Sequence, residues 1–198
     1  MPFSWGEQPP DDVDERLKDW LTRFTTQVSM AFKSSDFQVI EERLILRGNS
    51  FVDQEPPGLD ILTLISYGPQ QDVVELTLDA DGTMTFKKEG QYRINVFLQY
   101  GRRGASNLAS WLFYRGLVNG VASGFTIFTK LDNPNADLPV QIEIFGRFEV
   151  GDVFTSEFYR DSQGADAGGL HTETPIIVGF APPASAGIVI TELVHQFR

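Results

Sequence analysis

DADGTMTFKKEGQYRINVFLQY, residues Asp79–Tyr100, is the stretch from which the fold of this chain is read. Met84 and Phe86 alternate with Thr83, Thr85 and Lys87, which predicts a strand with one apolar side. Glu89-Gly90 is expected to reverse the chain and complete a hairpin, its backbone relying on the freedom of Gly90. A second strand follows, with Tyr92, Ile94, Val96 and Leu98 on one face. Arg93, Asn95 and Gln99 fall on the other, where Phe97 is the one apolar exception. Strict period-2 alternation of this kind belongs to a sheet with one buried face.

The same grammar extends towards the C-terminus. Ala109–Val118 reads as a strand that ends at Asn119-Gly120, a strong hairpin signal because both residues tolerate positive φ. Phe125, Ile127 and Phe128 supply the next strand, and the polar run Leu131–Leu138 reads as a loop. Val140, Ile142 and Ile144 alternate with Gln141, Glu143 and Phe145. Gly151-Asp152 marks a turn before a strand over Val153–Tyr159. Asp161–Gly169 is expected to be exposed and flexible, and Pro175–Phe180 and Gly187–Val194 to be the last two strands. In the other direction, Phe37–Leu46, Leu59–Tyr67 and Val73–Leu78 read as strands. Leu59–Tyr67 is apolar on both faces and is expected to lie between layers. Many short strands without an internal repeat predict a sandwich or barrel, not a propeller or solenoid.

The N-terminal part differs. MPFSWGEQPP carries Pro2, Gly6, Pro9 and Pro10 and is predicted to be an extended arm. Its aromatics Phe3 and Trp5 fit either a loosely packed terminus or a docking peptide that fills pockets on a partner. An amphipathic helix is predicted from about Asp12 to Lys33. Val13, Leu17, Trp20, Leu21, Phe24 and Val28 line one side, with Asp14 and Glu15 at its positive end. That stripe suits packing on the β domain, on copies of itself or on a partner. The domain reading is therefore residues 1–35 as anchor arm and helix and 36–198 as the β domain.

Composition narrows the function classes. The formal net charge is −11, which disfavours nonspecific attraction to nucleic acid or an anionic membrane and suits docking on a basic surface. There is no cysteine, so neither disulfides nor thiolate chemistry is available. No run approaches the ~20 apolar residues of a membrane span. No basic stretch followed by an apolar run is seen at the start, so no secretory signal is expected.

From Leu78 to Leu193 the chain resembles the tumour-necrosis-factor/complement globular-head type of jelly roll. The carrying residues are Asp81-Gly82, Phe86, and Gly90-Gln91-Tyr92 leading into Ile94, Val96 and Leu98. They continue with Asn119-Gly120, Phe148-Glu149-Val150-Gly151-Asp152-Val153, Phe154, Phe158, the Asp161–Gly169 loop and Ala186-Gly187-Ile188-Val189-Ile190. The resemblance implies a mainly β jelly-roll sandwich that forms a compact homotrimer. It places Leu98, Tyr100, Phe125, Phe128, Phe154 and Phe158 at the subunit interface. Such modules are found in bacteriophage virion proteins, and the leading FSWGEQPPDDVDERLKDWLTRF is similar to the particle-attachment start of small podophage structural proteins. The expected location is accordingly the virion. The expected partners are further copies of the chain and other virion proteins such as the major capsid protein or the tail. Phe3, Trp5, Leu17, Trp20, Phe24 and Val28 are the expected docking residues. Capsid decoration or cement and head fibre are the leading roles, with a tail fibre or a receptor- or carbohydrate-binding module as the alternative. For a sugar partner such as a host surface glycan, Tyr67, Tyr100, Trp111, Tyr114 and Tyr159 are the stacking candidates.

No catalytic constellation stands out, and the expectation is a non-enzymatic protein without a cofactor or metal. His171 and His195 are the only histidines, and neither has a candidate partner close by in sequence. Asp79-x-Asp81-Gly82 resembles part of a calcium loop, but the position that needs Glu is Lys88, so it reads as a turn. The loop Asp132, Asn133, Asn135, Asp137 could offer oxygens to a cation. Lys87-Lys88 and Arg102-Arg103 are too small for a nucleic-acid footprint and read as exposed loop charges or partners for carboxylates between subunits.

Overall fold

A computed structural model describes residues 39–69, 71–73, 75–103, 108–133, 135–173 and 179–196. The arm and helix predicted over residues 1–35 lie outside this set, and with them Phe3, Trp5, Leu17, Trp20, Phe24 and Val28. So does most of the strand predicted at Pro175–Phe180. Glu41–Val194 forms one compact unit.

Twelve strands appear among the described residues: β1 (Val39–Ser50), β2 (Thr63–Leu64), β3 (Gln71–Val73), β4 (Leu76–Leu78), β5 (Met84–Phe86), β6 (Gly90–Gly101), β7 (Ser110–Val118), β8 (Val121–Leu131), β9 (Asp137–Phe148), β10 (Val153–Arg160), β11 (Gly169–Leu170) and β12 (Ala186–Gln196). They form two antiparallel sheets. In the first, β1, β12, β6 and β9 lie side by side, and β11 pairs the end of β6 beyond β12. In the second, the order is β3-β4-β5-β10-β7-β8, with β2 beside β5 on the same edge of β10. The result is mainly β and sandwich-like.

The alternation read in the sequence sets which side chains enter the core. Tyr92, Ile94, Val96, Leu98 and Tyr100 of β6 are buried, and so are Met84 and Phe86 of β5. Residues from both sheets merge into a single hydrophobic core. At one end of the core Phe86 of the second sheet stacks on Phe148 of the first, with centroids 4.1 Å apart, and tilts against Tyr92 at 4.8 Å. Aromatic contacts of this kind add to the area they bury and hold the sheets together.

Two local readings are corrected. β5 and β6 are not a hairpin: β5 pairs with β4 and β10, β6 with β9 and β12, so Lys87–Glu89 carries the chain from one sheet to the other. Leu59–Tyr67 is not a strand between layers. Only Thr63–Leu64 joins a ladder; Ile65 and Tyr67 are buried, but Ile61, Leu62 and Leu64 are exposed. An apolar run is compatible with a buried strand, but the hydrogen-bond partners that make one are not local. Asn119 (φ 51°) and Gly120 (φ 76°) do close the β7–β8 hairpin, with Val118 opposite Val121.

The segment Asp161–Gly169, expected to be exposed, is partly inside. Ala165, Gly168 and Gly169 are buried, and the Ala165 N–H donates to the Ala109 carbonyl at 2.8 Å.

Candidate functional site

The outer face of the first sheet is built from the residues that alternate with the core. On β6 these are Arg93, Asn95, Phe97 and Gln99; on β9 they include Gln141, Glu143 and Phe145, because Phe97 sits opposite Gln141 and Arg93 opposite Phe145. Phe97 also sits opposite Gly187 of β12. Asn49 packs closely on Gly187: a Cβ there would come within 2.9 Å of Asn49 Oδ1. A groove of about 670 Å³ lies beside the Phe97 ring, lined by Leu44, Phe97, Pro139, Val140, Ala184 and Val189 together with polar side chains such as Arg47 and Gln141. Phe97 is 40% exposed, Leu44 62% and Phe145 61%. Three large apolar side chains are thus exposed on the outer face of one sheet.

Ion pairs frame this face. Arg93 bonds Glu42 and lies 3.6 Å from Glu143; Arg147 lies 3.2 Å from Glu149. Two arginines face three glutamates here, and most of these groups are well exposed, so the pairs contribute little stability.

The second sheet carries a different surface. Leu112 and Tyr114 of β7 point into the core, so Trp111, Phe113 and Arg115 point out. Phe113 pairs with Phe128 of β8 and with Tyr159 of β10. Trp111, Phe128, Phe113 and Tyr159 form a chain of contacts with centroids 5.4, 4.9 and 5.1 Å apart.

Two polar clusters lie apart from the outer faces described above. Glu192 is buried and receives Lys88 at 2.7 Å and Arg43, whose guanidinium also reaches Glu75 at 2.7 Å. Burial alone would push the Glu192 carboxyl up, but Lys88 and Arg43 outweigh it and hold the carboxyl below its ordinary range. The second cluster surrounds His171, which is buried although the sequence offered no neighbour for it. Asp53 lies 3.3 Å from its Nδ1 and Glu55 3.6 Å from its Nε2. The Asp53 carboxyl is lowered: burial opposes this, but the hydrogen bond from the Thr172 N–H and the nearby His171 ring prevail. Among the described residues no three His, Asp or Glu side chains gather to hold a metal. In the Asp132–Asp137 loop, Asp132 pairs with Lys130 and Asp137 with Arg103, both at 2.8 Å.

The interface residues expected from the resemblance are largely displaced. Leu98, Tyr100, Phe154 and Phe158 are buried in the core of a single chain and have no surface left for a partner. Phe128 is exposed, but on the second sheet; Phe125 lies on β8, its side chain outside those described. Of the stacking candidates, Tyr67, Tyr100 and Tyr114 are core residues, while Trp111 and Tyr159 stay at the surface. Burial pushes the Tyr114 hydroxyl up to about 12, although its contact with Ser156 at 3.2 Å opposes this. Arg102 is not an exposed loop charge: it is fully buried and donates to the carbonyls of Leu131 and Asp132 at 3.2 and 2.9 Å. Phe97 and Phe145 are the sequence signal for this exposed face, as apolar residues on otherwise polar sides of their strands.

No protein-family model matches the chain, and no curated protein matches its sequence.

Proposed function

We propose that this protein is a non-enzymatic structural subunit of a bacteriophage particle. It folds as a jelly roll of the tumour-necrosis-factor/complement head type and assembles into a homotrimer. Residues 1–35 hold it on the particle, most simply as a capsid decoration or cement protein or a head fibre. The jelly-roll reading is supported by the way the chain alternates between sheets: β6 in the first, β7 and β8 in the second, β9 in the first, β10 in the second and β12 in the first.

The observation that carries the assembly reading is the exposed Phe97–Phe145–Leu44 face beside its groove. It replaces the core residues first expected at the interface. A closed ring of three copies can cover this face on every subunit and leave no copy with an open patch. Three anchors acting together then give long residence on a shell even when each binds weakly. The acidic charge suits a basic shell surface. The virion assignment itself rests on the sequence resemblance.

Particles released from cells that encode this chain, purified and labelled with an antibody against it, test the assignment. Regularly placed label on shell or tail is expected; a chain left wholly in the soluble fraction would refute it.

The tail-fibre or adhesion alternative draws support from one observation, the aromatic row on the second sheet, which the assembly face does not use.

A further inference from the structure

We propose that the outer face of β8, β7 and β10 is a binding surface for a neutral saccharide. The register lays out a grid. In the middle row Phe128, Phe113 and Tyr159 stand side by side. On one flank Trp111 is opposite Lys130, and on the other Thr126, Arg115 and Glu157 stand in line. Phe113 and Tyr159 stack at 11°, Phe128 tilts 40° to Phe113, and Trp111 meets Phe128 at 67°, so the rings form a fan. None of these rings is needed to fill the core, which the opposite faces of the same strands already occupy. Phe128 remains 47% exposed.

The flanking charges select the ligand class. Arg115 is paired with Glu157 at 2.8 Å and Lys130 with Asp132 at 2.8 Å, so neither cation is left over to draw an anion, and Asp60 and Asp161 near Tyr159 add negative charge. The net charge of −11 works against polyanions such as nucleic acids or sulfated glycans. A polypeptide partner lying flat on the face would have to desolvate both ion pairs, which is costly. A saccharide offsets that cost, because its hydroxyls can both donate to the carboxylates and accept from the guanidinium and ammonium groups, while its apolar C–H face, with slightly positive hydrogens, matches the negative ring faces that the Phe113–Tyr159 stack leaves open. A central aromatic row with convergent polar groups at its margins is the pattern of a small-ligand site, here opened onto a sheet. The inference sharpens the adhesion alternative and rests on it; it needs nothing from the assembly face.

Titration of the full chain with maltohexaose, cellohexaose, mannohexaose and a neutral bacterial O-antigen polysaccharide tests it, followed by calorimetry and by saturation transfer to sugar protons. Heparin serves as the anionic comparison. Binding of at least one neutral glycan is expected, weakened at least tenfold by Phe128→Ala and by Tyr159→Ala. Both side chains lie at the surface, and an unchanged thermal midpoint confirms the fold. Should Tyr159→Ala fail to fold, Phe128→Ala decides alone. No binding to any neutral glycan, binding to heparin only, or neutral binding undiminished in the folded variants overturns the proposal. Phe97→Asp is expected to leave binding to the monomeric unit unchanged, and molar mass measured on the same samples reports assembly separately.

Discussion

At Gly82 the backbone takes φ +89°, and an added Cβ would lie 1.9 Å from the carbonyl oxygen of Ile65. Both facts exclude a side chain, the first by strain and the second by collision with backbone that cannot rotate away. Gly82→Ala is therefore expected to cost at least about 2–3 kcal/mol in urea unfolding; a loss under about 0.5 kcal/mol would contradict the geometry. Gly90, where conformational freedom was expected to matter, does not take the left-handed conformation. Its constraint is contact: a Cβ would meet the Tyr92 ring at 3.2 Å and Glu192 at 3.4 Å. Glu192 itself gives a pH-dependent prediction. Its carboxyl is depressed in the folded state, so its contribution is present above the ordinary value of 4.5 and is lost as pH falls through the folded value. Glu192→Gln should cost about 1–2 kcal/mol at pH 7, since Lys88 and Arg43 are half-exposed and regain water. The difference from wild type should shrink steadily below pH 4.5. A penalty that is constant from pH 7 to pH 3 would show that the charge is not what matters.

β6 illustrates what an element discloses from its own sequence and what it does not. Its inward and outward sides follow from alternation, although Asn95 on the outward side is buried; the sides of β9 and the Asn119-Gly120 hairpin were legible in the same way. The partition of strands between sheets was not legible, because hydrogen-bond partners such as Ile94 with Ile144 and Ile190 are set by distant segments. For that reason the Met84–Tyr100 stretch looked like a hairpin and is a crossing between sheets. The same limit hid the surroundings of His171, which Asp53 and Glu55 reach from the other side of the sequence, and the burial of Arg102, whose acceptors lie about thirty residues away. The same limit bears on the interface: the resemblance places aromatic residues there, whereas Tyr100, Phe154 and Phe158 fill the core. At this scale Phe148→Ala is the informative change. It removes the ring that stacks on Phe86 and touches Tyr92, and should cost about 3–5 kcal/mol in chemical denaturation. A loss below about 1 kcal/mol would mean that the sheets are not joined there.

For the whole molecule, the two outer faces divide the proposed roles. The first sheet offers the Phe97–Phe145–Leu44 face for association of copies, and the second offers an aromatic row that such association would leave open. In the proposed trimer Phe97 and Phe145 lie between subunits. Absolute molar mass by light scattering, on the wild-type chain and on the Phe97→Asp/Phe145→Asp double variant, tests it most directly. Both side chains are already exposed in the single chain, so the substitutions should not disturb folding, which far-ultraviolet circular dichroism checks. The expected wild-type mass is three times the 22.1 kDa of one chain, falling to a single chain in the variant. A wild-type monomer, or a folded variant that stays trimeric, would contradict it.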